Sequence, residues 1–250
     1  MMNVCVLGIG KVGVHLINEC INHPTINLVQ IYNRSNKGLE LYKGMLSTTQ
    51  SILDLKKADL YIVALPDSVI PTLNLTKLQG LVVHTSGTVP FSDLQATNRG
   101  VLYPPQSFTK EKKISFKQIP LCLETEFKTD YSTLENFANK ISNVVHQVNQ
   151  QKRQKLHLAA VFANNFSNRV MGIAYDICKK NELDFKILQP LIQETFLKTQ
   201  IMTPKTAQTG PAVRGDQKTI EKHIGQLKNT DLEVYKILTK SIQEKHGTEL

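Results

Sequence analysis

A Gly-x-Gly-x-x-Gly turn placed directly after a short apolar run at the start of the chain constrains this sequence more than any other feature. Asn3 to Leu7 (NVCVL) is aliphatic and β-branched. Gly8-Ile9-Gly10-Lys11-Val12-Gly13 follows it, and Val12 to Cys20 then places apolar residues at helical spacing. In a strand, turn and helix of this kind, the first glycine permits the tight turn and the second lets the backbone approach a pyrophosphate. The third lets the helix pack on the sheet, and the amides of Lys11 and Val12 at the helix N-terminus face the phosphate charge. A purely structural turn after the first strand is the alternative, which this context makes the weaker reading.

The chain after the turn agrees with this. Asn27 to Tyr32 reads as a second strand, Ala58 to Leu65 (ADLYIVAL) as a fully buried one, and Leu81 to His84 as another. Ile119 to Leu123 and Val144 to Val148 are candidate further strands, with an amphipathic helix from about Tyr131 to Ile141 between them. Non-alternating apolar strands predict a doubly wound α/β Rossmann sheet covered on both faces. From Gln151 to Lys180 the composition is helical. A helix over Phe185 to Thr199, a loop over Thr203 to Asp216, and helices near Thr219 to Leu227 and Asp231 to Lys245 follow. The reading is thus a Rossmann domain over 1–150 and an all-α domain over 151–250.

Composition excludes several classes. The chain is 41% hydrophobic and 20% charged, which suits a folded protein with a sizeable core. No stretch is apolar for the roughly 18 residues a membrane span needs, and Met1 to Leu7 lacks the pattern of a signal peptide; a cytoplasmic location is expected. Cys5, Cys20, Cys122 and Cys178 are far apart and have no metal-ligand spacing, so they read as buried thiols and no metal is expected. The net charge of +9 is dispersed except at Lys110 to Lys113 and Gln151 to Lys155. Without aromatic interleaving it reads as a solvated basic surface and not as a nucleic-acid interface.

The end of the second strand chooses between cofactors. NAD binders place an acidic residue there for the ribose hydroxyls, whereas this chain has Asn33, Arg34 and Ser35. A guanidinium able to hold a phosphate, a hydroxyl beside it and no repelling carboxylate favour NADP. An ordinary polar turn is the alternative. Leu65-Pro66-Asp67 and Thr85-Ser86-Gly87 close two further strands on the edge along which the dinucleotide would run, and Ser86 is a candidate for cofactor or substrate contact.

GIGKVG at Gly8 to Gly13, YNRS at Tyr32 to Ser35, HTSG at His84 to Gly87 and YPPQSF at Tyr103 to Phe108 accumulate along the first domain. LAAVFANNF at Leu158 to Phe166 and TGPAVRGD at Thr209 to Asp216 follow in the second. Together these segments resemble Rossmann-like oxidoreductases related to pyrroline-5-carboxylate reductase and the β-hydroxyacid dehydrogenases, with a helical C-terminal domain of unassigned function. The resemblance covers nearly the whole chain. It implies an oxidoreductase with a cleft between its domains and a homodimer formed through the helical part, and it does not supply a substrate.

β-Hydroxyacid dehydrogenases use a helix lysine one turn before an asparagine; here Ala160 and Val161 stand four residues before Asn164 and Asn165. His157, Val161, Asn164 and Asn168 follow helical spacing and are expected on one face, with Asn165 beside them. His157 is the candidate replacement proton donor. Asn164, Asn165 and Ser86 complete the candidate catalytic set, although satisfied polar residues at a helix contact would give the same pattern. Gln106, Asn168, Gly210 and Arg214 are the candidate contacts to a small substrate; Arg214 suits a carboxylate unless it pairs internally with Asp216, a candidate helix cap. The expected activity is hydride transfer between NADPH and a small anionic carbonyl or imine compound. The alternative is a non-catalytic NADP sensor or assembly protein, motivated by the missing lysine.

Overall fold

In the computed structural model, which describes residues 1–248, the opening apolar run is a strand, β1 (Met2–Leu7), and the glycine turn leads into α1 (Lys11–Asn22). The other strands are β2 (Ile26–Tyr32), β3 (Thr48–Thr49), β4 (Leu60–Val63), β5 (Leu81–His84), β6 (Arg99–Tyr103), β7 (Leu121–Thr125) and β8 (Val145–Gln147). They form one sheet in the order β3-β2-β1-β4-β5-β6-β7-β8. Every neighbouring pair is parallel except β6 with β7. The order reverses between β1 and β4, and in an open α/β sheet that switch point is where a crevice opens beyond the strand C-termini.

The six expected strands are present; β3 and β6 are additional. β3 has two residues, too few to leave a periodic signature. β6 begins Arg99-Gly100, which reads as a turn, yet the glycine is required there: a Cβ at Gly100 would strike the carbonyl oxygen of Glu124 on the antiparallel neighbour.

One face of the sheet is covered by α1 and by α2 (Lys128–Ile141). Leu16, Ile17 and Cys20 of the first, and Leu134, Phe137 and Ile141 of the second, pack on a core that includes Val4, Val6, Leu60 and Ile62. The opposite face is covered by short 3-10 turns and loops carrying Ile70, Leu73, Leu75 and Leu94 over Leu7, Tyr61, Val63 and Val82. With both faces covered, the strands need no polar alternation, which explains runs such as LYIV.

Two compact units divide at Asn165/Phe166. The helix α3 (Gln150–Ala160) begins at the boundary read from composition, but it belongs to the sheet unit, because its side chains are anchored in the sheet's loops. A π-helical turn over Val161–Phe166 follows it. The second unit is helical throughout: α4 (Ser167–Lys180), α5 (Gln189–Ile201), α6 (Pro204–Ala207), α7 (Gln217–Ile224) and α8 (Asn229–His246). Among the described residues its buried apolar positions are Ile173, Cys178, Ala212 and Ile220, and neither α5 nor α8 has a buried residue. No helix among the described residues is long and apolar enough to cross a membrane.

Candidate functional site

The three glycines of the first turn have different reasons to be there. Gly8 has φ +109°, and a Cβ on it would run into the Ala64 carbonyl oxygen and come within 2.8 Å of Leu65 Cδ2. A Cβ on Gly13 would strike the Gly8 carbonyl oxygen, so α1 can lie this close to β1 only without one. Gly10 is free of such pressure: its φ is −74°, and the nearest atom a Cβ would meet is Ala64 O at 3.7 Å. The fold needs glycine at 8 and 13, whereas at 10 glycine only keeps the exposed backbone bare. Gly10 caps α1 without a side-chain hydrogen bond, and no acidic residue stands in the first turn. The positive end of the helix is therefore open at the switch point, with Lys11 exposed beside it.

At the end of β2, Asn33 shapes the loop: its Nδ2 donates to Ser35 O at 2.9 Å and to Lys37 O at 3.2 Å. Arg34 and Ser35 are exposed, and among the described residues Arg34 pairs with no carboxylate. The end of β4 leaves Pro66 and Asp67 exposed and Leu65 half-buried. Asp67 accepts a 2.7 Å hydrogen bond from Thr88 Oγ1, which ties the loops after β4 and β5 together.

The ends of β5 and β6 gather a polar cluster. Ser86 Oγ accepts from Thr88 N at 3.1 Å and Val89 N at 3.0 Å, so its hydroxyl oxygen is committed to holding the turn. His84 is fully buried. Its Nδ1 accepts from Ser86 N at 3.2 Å, and its Nε2 has no hydrogen-bond partner. Burial first, and the charge of Arg153 second, push its pKa down to about 4, so His84 is a neutral structural imidazole. Thr85 is half-buried, and its amide bonds Val63 O at 3.2 Å.

Over this cluster lies α3. Arg153, with no solvent exposure, donates to Ser86 O at 3.0 Å and to Glu124 Oε2 at 3.2 Å. Glu124 Oε1 in turn accepts from Gln150 N at 2.6 Å, and Gln154 Nε2 donates to Thr88 O at 2.9 Å. One turn beyond Arg153, His157 Nδ1 meets Tyr103 Oη at 3.1 Å. Gln106 is exposed and uses its Oε1 to accept from Ser107 N at 2.7 Å, within its own loop.

A π-helical turn over Val161–Phe166 interrupts the α-helical spacing on which the expected face from His157 through Val161 and Asn164 to Asn168 rests, and it turns Asn164 away from the position that spacing gives it. Asn164 and Asn165 are exposed on that turn. In the helical unit, Asn168 lies exposed on α4. Gly210 has φ +111°, as its loop requires, and Arg214 is exposed. Asp216 caps α7, accepting from Thr219 N at 3.1 Å and Thr219 Oγ1 at 2.7 Å. Those two hydrogen bonds hold its pKa low, and it forms no ion pair with Arg214. The sequence singled out Tyr103 only as the start of the YPPQSF segment and did not mark Glu124 or Arg153; the i, i+4 spacing of Arg153 and His157 was the available signal.

A largely parallel sheet with a glycine turn and an open helix end at its switch point defines a Rossmann-type α/β protein. A family model described as a domain of unknown function (DUF2520) matches residues 119–242, from the start of the β7 region through most of the helical unit. The crystal structure of a protein described as an NADP oxidoreductase, from Bacteroides fragilis, is 33% identical, with a TM-score of 0.87 over 97% of this chain and 98% of that one. The chain belongs to the same family, Rossmann-like oxidoreductases whose helical part is DUF2520. A Thermotoga maritima protein is 22% identical, with a TM-score of 0.71 over 98% of both chains. A 1-pyrroline-5-carboxylate reductase from Streptococcus pyogenes is 13% identical, with a TM-score of 0.62 over 98% of both chains. These last two share the fold. No curated protein matches the sequence.

Proposed function

We propose that the protein is an NADP-dependent reductase or dehydrogenase acting on a small, anionic carbonyl or imine compound. The observation that carries this reading is the contrast among the glycines: Gly8 and Gly13 are forced by packing, but Gly10 is bare where only an incoming ligand would need it so. The uncapped N-terminus of α1 suits a pyrophosphate, and the exposed, unpaired Arg34 beside Ser35 suits a ribose phosphate better than a bare ribose. The B. fragilis relative, described as an NADP oxidoreductase, supports the same cofactor.

Bound along the carboxyl edge, such a cofactor supplies a hydride from its nicotinamide ring. The chain's part is to hold the dinucleotide with the turn after β1 and to deliver a proton as the hydride arrives. His157 is the donor we assign, since it stands at the end of β6 where the second half of a dinucleotide runs. The four free, buried thiols suit the reducing cytoplasm.

We also propose that the working form is a homodimer built through the helical unit. Laid out at about 100° per residue, Leu191, Ile192, Phe196, Leu197 and Ile201 surround α5, a helix with no buried residue in the single chain.

Calorimetric titration with NADPH and NADH tests the cofactor. The expected result is tighter binding of NADPH, with the preference lost in Arg34→Ala. Failure of the wild-type protein to bind either nucleotide would overturn the proposal.

A further inference from the structure

We infer that Tyr103 is a positioning residue for proton transfer by His157, and that the two side chains act as a pair. The inference rests on the reading of His157 as proton donor given above.

Three contacts fix the imidazole. Tyr103 Oη lies 3.1 Å from Nδ1, and the two rings meet edge to face with centroids 5.8 Å apart. The backbone of Gly87 is so close that a Cβ there would come within 2.5 Å of His157 Nδ1, 2.7 Å of its Cγ and 3.0 Å of its Cβ. Third, α3 cannot slide, because Arg153 and Gln154 bind it to Ser86 O and Thr88 O. The Nδ1 edge of the ring is thus packed. Nε2 makes no hydrogen bond among the described residues, and the side chain is partly exposed, so Nε2 is the nitrogen left for a substrate.

A phenol suits Nδ1 because a hydroxyl both donates and accepts. When His157 is an imidazolium, or the neutral Nδ1–H form that loss of the Nε2 proton leaves, Nδ1–H donates to Tyr103 Oη; in the Nε2–H tautomer Tyr103 donates to Nδ1. The ring keeps its partner in every state and need not turn between them. In the proposed reduction the hydride reaches the carbonyl or imine carbon, the Nε2–H bond of the imidazolium breaks, and an O–H or N–H bond forms on the substrate. The neutral ring retains Nδ1–H against Tyr103, and water returns a proton to Nε2. Burial raises the pKa of Tyr103, which keeps its phenol protonated throughout.

The test is a long-range 1H–15N correlation spectrum of histidine-labelled protein, wild type and Tyr103→Phe, with and without saturating NADPH. The His157 signals are assigned by their loss in His157→Gln, and nucleotide binding is read separately from NADPH fluorescence. The expected result has two parts: Tyr103→Phe moves the His157 Nδ1 resonance by several ppm without lowering the melting temperature of the fold, and NADPH moves Nε2 in the wild type. A Nδ1 resonance unmoved in Tyr103→Phe would overturn the pairing. NADPH that binds but leaves His157 unmoved would remove the pair from the reacting end while leaving the cofactor proposal standing. No NADPH binding at all would sink the cofactor proposal and this inference with it.

Discussion

Arg153 donates to the carbonyl oxygen of Ser86 at 3.0 Å from a position without solvent exposure, and this bond joins α3 to the turn after β5. The same guanidinium pairs with Glu124 at 3.2 Å, and Glu124 also holds the first amide of α3. Sheet, turn and helix therefore share one charged knot, and His157 sits one helical turn beyond it.

Breaking that knot from one side is expected to be costly. Arg153→Met leaves Glu124 and the Ser86 carbonyl without their partner, and such a loss costs about 3–5 kcal/mol. Adding Glu124→Gln to Arg153→Met removes the stranded charge and should recover part of the loss. Urea unfolding of the two variants measures this; a single variant within about 0.5 kcal/mol of wild type, the range of an ordinary surface change, would show that the knot contributes nothing.

The glycines of the first turn give a second prediction. Gly13→Ala forces a methyl group into the Gly8 carbonyl and should destabilise the protein by about 1–3 kcal/mol. Gly10→Ala meets nothing closer than 3.7 Å at a φ of −74° that alanine adopts freely, and the gain from a stiffer unfolded chain is offset by alanine's poorer fit at a helix N-cap, so stability should change by less than about 1 kcal/mol. NADPH affinity should nevertheless fall at least tenfold, about 1.4 kcal/mol. Thermal melts and calorimetry on the two variants separate the roles; a Gly10→Ala protein that binds NADPH normally would remove Gly10 from the site.

His84 makes stability depend on pH in a defined direction. Its folded-state pKa of about 4 lies below the ordinary value of 6.5, because burial and the neighbouring Arg153 disfavour the charged ring, with smaller opposing pulls from the backbone of Pro90 and from Asp67. Between those values the unfolded chain binds a proton that the folded chain does not. Stability from this residue is thus full above about pH 6.5 and falls as the pH is lowered toward 4, by about 3 kcal/mol. His84→Gln removes the proton uptake. Its unfolding free energy should vary less with pH than that of the wild type across this window, and an identical slope in the two proteins would refute the assignment.

What the sequence revealed and what it hid have physical reasons. NVCVL before the glycine turn and LYIV before Ala64 are legible because strands covered on both faces carry no polar alternation. β6 is not legible, because the close approach of β7 requires a glycine that in sequence reads as a break. The π-helical turn escaped because VFANNF continues an α-helical composition, and only the hydrogen-bond pattern marks the wider turn. Arg153 looked like one member of a solvated basic run, since its burial depends on Glu124, a residue 29 positions away. For the same reason Tyr103 could be placed in a loop of interest, but its partner His157, 54 positions away, could not be paired with it.

The helical unit yields the last prediction. Its helices α5 and α8 bury no residue in the single chain, although large apolar side chains stand around α5 between its polar ones, and covering such side chains is what stabilises a helix of this length. Ile201 is 80% exposed and Leu191 63% exposed, so on a monomer's surface a charge at either position would change stability by no more than about 0.5 kcal/mol. In a homodimer the same substitutions place an unpaired carboxylate in an apolar interface, which costs far more. Light scattering on the wild-type protein should then give twice the mass of one chain, and Leu191→Asp or Ile201→Asp should dissociate it or lower its melting temperature by many degrees. A wild-type monomer whose melting is indifferent to both substitutions would end the dimer proposal.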